Sequence, residues 1–505
     1  RYLFANLGEL QARAVIAEFD INQRPLDIAE ALLAREPKII GLGVYIWNAV
    51  ETTEVVGIIK RIRPEVRVIL GGPEVSHETE LQEIVRLADH TITGEGDLKF
   101  AEVCRQLLGP AGETATGALS KIIPAELPDF SRLALPYACY TDTDLAHRIV
   151  YVEASRGCPF TCEFCLSSLD IPVRAVPMDK FLAAMQTLLD RGLKQFKFVD
   201  RTFNLNIGVS RAILEFFLAR HQPGNFYHFE MIPDRLPPEL REMIARFPPG
   251  TLQFEVGIQT FNPAVGQNIS RRQNYERMAD NFHFLRRETG VHIHADLIIG
   301  LPGETVQSFG AGFDRLIAMG PQEIQVGILK RLRGTPIVRH DREWQMVYNA
   351  APPYEILQNK LIDFASMQRL RRFAKYWDLI GNSGNFAEVT PLIWRDASPF
   401  QRFLQLSDWL FARLGRTDTI ALARLAELLF QFLTAETGGD KIAVAEALRR
   451  DWQRAGRRDA PEFLRAVLPA DSMAPARTTK RSLVKRQARH LAAAASDGLD
   501  RFTPV

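Results

Sequence analysis

The sequence is short of cysteine, of long apolar runs and of net charge, and each shortage closes a class of explanation. Its cysteines, Cys104, Cys139, Cys158, Cys162 and Cys165, are few and odd in number, which excludes a disulfide-stapled scaffold and favours a reducing compartment. No apolar run approaches the ~20 residues of a spanning helix and no signal peptide is visible, so no membrane partner and a cytoplasmic location are expected. The formal charge of +2 offers no global argument for nucleic-acid binding. The first residue is Arg1 rather than Met, and RYLFANLGEL already runs in helical rhythm through Leu3, Phe4, Leu7 and Leu10.

What is present describes an ordinary globular chain, 46% hydrophobic and 24% charged, long enough at 505 residues for two to four domains. Over 1–110 strands alternate with helices. ARAVIAEF (12–19), KIIGLGVYIW (38–47), VRVILGG (66–72) and DHTITGEGD (89–97) read as strands, and 27–37, 51–64 and 79–88 as helices. That alternation predicts a doubly wound parallel α/β sheet, whose ligands sit at the carboxyl ends of strands. The loops suited to that are GVYIWN (43–48), GGPE (71–74) and GEGD (94–97). Residues 111–147, rich in Gly, Ala, Thr and Pro, read as a linker with room for a short hairpin. A second alternation over 148–340 carries six strands and five helices, a (β/α)6 partial barrel with functional groups expected at the strand ends, near Ser155, Asp200, Glu230, Glu255 and Gly300. From 341 to 505 the pattern is helical and aromatic, ending in the basic tail ARTTKRSLVKRQARH (476–490). No short-period repeat is present.

Three of the five cysteines fall in SRGCPFTCEFC, spaced C-x3-C-x2-C after the first barrel strand. Structural zinc takes paired C-x2-C arms or a nearby His pair, and no histidine lies between 148 and 220. Three thiolates leave one iron of a four-iron cluster open, since full ligation takes four. A structural zinc or an incidental cysteine cluster is the bland alternative.

RGCPFTCEFC resembles the cluster motif of the radical S-adenosylmethionine (SAM) superfamily, including Phe164 before the third cysteine. The resemblance implies a [4Fe-4S] cluster on Cys158, Cys162 and Cys165, with SAM on the open iron and cleaved by one-electron reduction to methionine and a 5′-deoxyadenosyl radical. FKFVDRTFN (196–204), HFEMIP, FEVGIQT and DLIIGLPGET (296–305) resemble successive strands of that core. They imply SAM contacts at Asp200, Glu230, Glu255, Gln259, Gly300, Pro302 and Gly303, with Phe164. A flavodoxin or ferredoxin is implied as electron donor.

Placed before such a core, the first domain is similar to the cobalamin-binding domain of cobalamin-dependent radical SAM enzymes. That similarity implies cobalamin contacts from Gly43, Tyr45, Trp47 and Asn48, from Gly71, Gly72, Pro73 and Glu74, and from Gly94, Glu95 and Gly96. The D-x-H-x-x-G motif of many cobalamin proteins is absent, and the family's first strand is expected to precede Arg1. Cys104 alone cannot form the second three-cysteine site of methylthiotransferases. Arg331, Arg333, Tyr348 and Tyr354 are weaker substrate candidates. The reaction expected from the resemblance is methylation of an unactivated carbon of a small-molecule or peptide substrate. A radical rearrangement or cyclisation without methyl transfer, and a non-catalytic cobalamin or cluster sensor, stand as alternatives.

Overall fold

A computed structural model describes residues 1–109, 119–170, 172–395, 397–457, 459–469 and 486–490. PAGETATG in the expected linker, and residues 476–485 of the basic tail, lie outside the described residues. The chain divides into two compact units: Arg1–Lys194 with Lys330–Arg339 and Tyr348–Glu355, and Gln195–Leu329 with His340–Val347 and the described residues from Ile356 onward.

In the first unit, β1 (Ile39–Gly43), β2 (Arg67–Gly71), β3 (His90–Thr93) and β4 (Ile122–Pro124) form one parallel sheet in that order. The helix Ala49–Ile62 lays Val55, Val56 and Ile59 on Ile40, Val68 and Leu70, all buried. Each such side chain contributes roughly 1.5–3 kcal/mol on leaving water. Two expectations are corrected. Residues 12–19 form no strand: Gly8–Arg13 is a short 3-10 helix and 14–19 pair with no strand among the described residues, and a segment without a pairing partner is not a strand. The linker holds β4, an added parallel strand, where a hairpin was expected. Beyond it lie β5 (Val150–Val152) and a two-residue ladder of β6 (Ser155–Arg156) with β7 (Arg174–Ala175).

The second unit carries β8 (Gln195–Phe198), β9 (Phe226–Met231), β10 (Leu252–Gln259), β11 (His292–Ile299) and β12 (Glu323–Ile328), parallel neighbours in sequence order. Helices between them start at side-chain caps, Asn206 on the amide of Val209, Asn274 on Arg277 and Thr305 on Ser308. One sheet face is apolar (Phe196, Phe198, Tyr227, Phe229, Phe254, Val256, Ile293, Leu297) and buried. The following helices, including Phe364–Ile380 and Pro399–Leu414, pack Phe373, Trp377, Phe400 and Phe403 around Phe313. Gly310 admits the Phe400 ring where a Cβ would stand 2.4 Å from it.

Gly72 ends β2 at φ +108°, and a Cβ there would lie 2.5 Å from the Val44 carbonyl oxygen. Gly192 also has a positive φ, +87°, with nothing within 4 Å of a built Cβ. Gly72→Ala is therefore expected to destabilise the first unit by about 1–3 kcal/mol and Gly192→Ala by less. Chemical denaturation midpoints compare the two, and equal losses would contradict the steric reading.

Candidate functional site

The cysteine loop leaves and re-enters one narrow neck. Ser155 pairs with Ala175 and Arg156 with Arg174, so the chain leaves after Arg156 and returns at Arg174. Gly157, at φ +90°, turns the chain where a Cβ would meet the Asp170 carbonyl oxygen at 2.6 Å, while the Cys158 amide donates to that same oxygen at 3.0 Å. The Cys165 amide donates to the Cys162 carbonyl (3.1 Å), and Ser168 Oγ donates to the Cys165 carbonyl (2.6 Å). None of the three cysteines is in a disulfide; Cys158 and Cys162 are buried and Cys165 is half-buried. Glu163, between them, is buried and paired with Arg339, and its carbonyl accepts from the Ile337 amide at 3.0 Å. Phe164 is half-buried.

The neck is held by charge. Arg156 donates through Nε and Nη2 to Glu153 (3.0 and 2.7 Å), and through Nη1 to Glu95 and Asp97 (2.8 Å each), with Nη2 also reaching Asp97 at 3.2 Å. Its guanidinium lies over Tyr2 and Phe130, 4.6 and 5.1 Å from their ring centres. Arg174 binds Glu95 and, at 2.8 Å, Asp170. Burial raises the Glu95 carboxyl, and the two arginines more than offset this, holding it below the ordinary range. Glu95 and Asp97 belong to GEGD at the carboxyl end of β3, so Glu95, expected at cobalamin, faces the cysteine loop, with Gly94 (φ +78°) and Gly96 beside it.

The other two strand-end loops of the first sheet differ from each other. In GVYIWN, Asn48 braces its own turn, accepting from the Tyr45 amide (2.8 Å) and donating to the Gly43 carbonyl (3.0 Å). Tyr45 and Trp47 stack at 4.5 Å and 8°, yet stay 38% and 64% exposed, an apolar plate open to a ligand. In GGPE, after Gly71, Gly72 and Pro73, Glu74 is buried and accepts from Tyr354 Oη (2.5 Å) and Arg333 Nε (2.8 Å). Arg331 and Arg333 both reach Glu78. Three of the four substrate candidates thus serve this loop, and Tyr348 is half-buried apart from these contacts.

In the second unit, the SAM candidates lie on strands and strand ends. Asp200 is buried just after β8. Glu230 accepts from Arg201 at 2.9 Å, and burial raises its carboxyl. Glu255 is raised by burial, but the hydrogen bond from His228 (2.9 Å), with Lys197 and His294 nearby, holds it at about 2. Gln259 sits at φ +72° beside a register shift at Gly257, with Oε1 buried and unpartnered. Gly300 and Gly303 (φ +91° and +87°) flank buried Pro302, whose carbonyl accepts from Asn268. Asn359 donates to the Gly300 carbonyl at 3.3 Å.

Family models divide the chain in three: a B12 binding domain over 2–104, the radical SAM superfamily over 152–316, and a protein family of unknown function, DUF4080, over 342–496. The chain is a radical SAM protein with a B12-binding domain. An uncharacterized methyltransferase of Pyrococcus horikoshii is 27% identical over 304 residues, 55% of this chain and 64% of that one. The cobalamin-dependent radical SAM methyltransferase TokK of Streptomyces tokunonensis is 23% identical over 344 residues, 58% and 47%. The chain thus spans about half to two thirds of these curated relatives. The radical SAM methyltransferase TsrM of Kitasatospora setae, solved with tryptophan and a SAM analog, shares the fold at a TM-score of 0.53 and 15% identity, over 72% of this chain and 77% of that one.

The cofactors of these domains are a four-iron cluster with SAM and cobalamin. Among the described residues no three His, Cys, Asp or Glu side chains converge on one point as a single ion requires. A four-iron cluster asks instead for one thiolate per iron, and three cysteines within eight residues, none in a disulfide, supply three of the four and leave one iron open. Sequence reasoning missed Arg156, Arg174 and Asp97. It also missed His228, His294 and Asp296, which share the polar face of the second sheet with the expected Glu230 and Glu255 and alternate with apolar residues. The signal was there as H-x-E in FYHFEM and H-x-H-x-D in HIHAD. Asp296 is raised well above the ordinary carboxyl range by burial and then by Glu255 and Glu230.

The GLPGET turn of this radical SAM core also buries Glu304, which accepts from Thr260 (3.1 Å) and Ser308 (2.8 Å) through Oε1 while Oε2 has no partner. Burial lifts its carboxyl to about 7, against those hydrogen bonds. The fold therefore keeps a proton that the unfolded chain loses above ~4.5, and stability at this site falls as pH rises toward 7. Glu304→Gln cannot ionise and is expected to gain on the wild type between pH 5 and pH 8, by up to about 3 kcal/mol. Urea unfolding at the two pH values measures it, and a difference independent of pH would contradict the assignment.

Proposed function

We propose that the protein is a cobalamin-dependent radical SAM methyltransferase acting on an unactivated carbon of a small-molecule or peptide substrate. The observation that carries this reading is one compact unit holding both the B12-binding sheet and the three-cysteine loop, the second anchored on a strand-end loop of the first. Methyltransferase activity in the names of TokK, TsrM and the Pyrococcus protein supports methyl transfer over the rearrangement and sensor alternatives.

Cys158, Cys162 and Cys165 would hold the cluster, and Phe164 would shield it. Asp200, Glu230, Glu255 and Gln259 would take the polar groups of SAM, with the Gly300–Pro302–Gly303 turn leaving room for its adenine. Glu255, kept ionised by His228, suits a hydroxyl or ammonium donor; Glu230, raised by burial and neutralised by Arg201, suits a neutral one. Tyr45 and Trp47 would bear one face of the corrin, and Gly71, Gly72 and Gly94 would admit its periphery. Arg331, Arg333 and Tyr354 position the GGPE loop through Glu74 and Glu78. When bound, the cofactors supply hydrogen abstraction after one-electron cleavage of SAM, and a methyl group from methylcobalamin. A flavodoxin or ferredoxin would deliver the electron.

Anaerobically reconstituted protein given SAM, hydroxocobalamin and dithionite is expected to form 5′-deoxyadenosine, and Cys162→Ala to lose at least about 100-fold of that rate together with iron. S-Adenosylhomocysteine formed in the same reaction marks methyl transfer. 5′-Deoxyadenosine without it would overturn the methyltransferase reading, and iron-loaded protein that never cleaves SAM would overturn the enzyme.

A further inference from the structure

The GEGD loop stands at the carboxyl end of β3, where a doubly wound sheet presents its ligand, and its two acidic side chains turn away to the neck of the cysteine loop. Arg156 and Arg174 face one another across the β6–β7 ladder, one residue on each strand leaving the loop. Glu95 joins them: Oε2 accepts from Nη1 of Arg156 at 2.8 Å and of Arg174 at 3.2 Å, and Oε1 pairs with Arg174 Nη2. The side chains of Glu95, Arg156 and Arg174 are each no more than 17% exposed. A buried pair that loses one member leaves an uncompensated charge, so the three move as a block or not at all. On either side of Glu95 stand Gly94 and Gly96, which add no side chain to the loop.

We propose that Glu95 is a positioning residue that couples the two cofactor sites, so that a cluster in the cysteine loop tightens cobalamin binding at the GEGD loop, and the reverse. This rests on the cofactor assignment above. A bound cluster fixes the loop and hence its neck; the neck fixes Glu95; cobalamin then meets a loop whose ordering cost has already been met. Linkage requires the effect to be reciprocal and equal in both directions.

The test measures the dissociation constant of hydroxocobalamin for the full chain, as cluster-free protein and after anaerobic reconstitution with iron and sulfide. The wild type is expected to bind at least about 5-fold more tightly with the cluster, the lower end of ordinary allosteric coupling. Glu95→Gln is expected to bind cobalamin in both states with that ratio reduced toward one. Because only the ratio is read, a direct effect of Glu95 on cobalamin cancels. Arg174→Gln removes the same link from the other side and reports if Glu95→Gln folds poorly. Arg174→Lys retains charge without the fork and should restore part of the ratio. A ratio of one in the wild type overturns the coupling, as does a wild-type ratio in both Glu95→Gln and Arg174→Gln. Protein that binds no cobalamin, or retains no iron, fails the cofactor assignment instead, so the two failures are told apart.

Discussion

Arg156 places a planar, permanently ionised group at the neck of the cysteine loop, and its Nε, Nη1 and Nη2 donors are divided among three carboxylates, Glu153, Asp97 and Glu95. A guanidinium fork accepts little rotation once each edge is matched to a carboxylate, and lysine has no equivalent. Tyr2 and Phe130 close over the group and keep water from competing. The neck of the loop, whose first thiol lies two residues beyond Arg156, is thus held by a contact that contains no sulfur. Gly157, Cys158 and Asp170 then set the turn through backbone contacts.

A similar device recurs at the next strand end of the same sheet. Arg333 reaches Glu74, Glu78 and the Tyr354 hydroxyl, and Gly334 is bare because the His77 ring fills the space of its Cβ. The tyrosine, raised to about 12 by burial and by Glu74, remains a hydrogen-bond donor across the physiological range. Two of three strand-end loops are therefore pinned by arginine–carboxylate contacts to segments far along the chain. The third, bearing Tyr45 and Trp47, is braced by Asn48 and by backbone bonds of Val44 with Gly71 and Glu74, and keeps its aromatic plate exposed. Rigid loops beside one open apolar surface are what a large flat ligand needs in order to bind without a large ordering cost.

The alternation of strands and helices was legible because buried parallel strands and amphipathic helices write strong, local patterns. Strand identity at 12–19 was not, since it depends on a partner rather than on composition. The fourth strand, three residues in a segment dense with Gly, Ala and Pro, is too short to show a period. The cysteine motif was legible for the opposite reason, that a cluster's demand on thiol spacing is met within eight residues. What surrounds it was hidden: Glu95 and Asp97 lie 59 to 79 positions from the arginines they bind, and no local rule pairs them. GGPE and GEGD read as glycine loops for a ligand, while their acidic residues turned out to bind the protein itself.

The second sheet departs from the usual rule in a way that bears on chemistry. Parallel strands are ordinarily apolar on both faces because helices cover both. Here one face is apolar and the other carries Lys197, His228, Glu230, Glu255, His294, Asp296 and Glu323. Most of these carboxylates have a basic partner: Arg201 for Glu230, His228 for Glu255, His292 and Arg486 for Glu323. Asp296 has His294 at 3.5 Å without a hydrogen bond from it, its Oδ1 is buried and unpartnered, and burial with Glu255 and Glu230 raises its carboxyl well above the ordinary range. With Glu255 held at about 2 and Asp296 raised, two carboxyls of opposite tendency stand on adjacent strands, a mixed polarity that orients a polar ligand along one face.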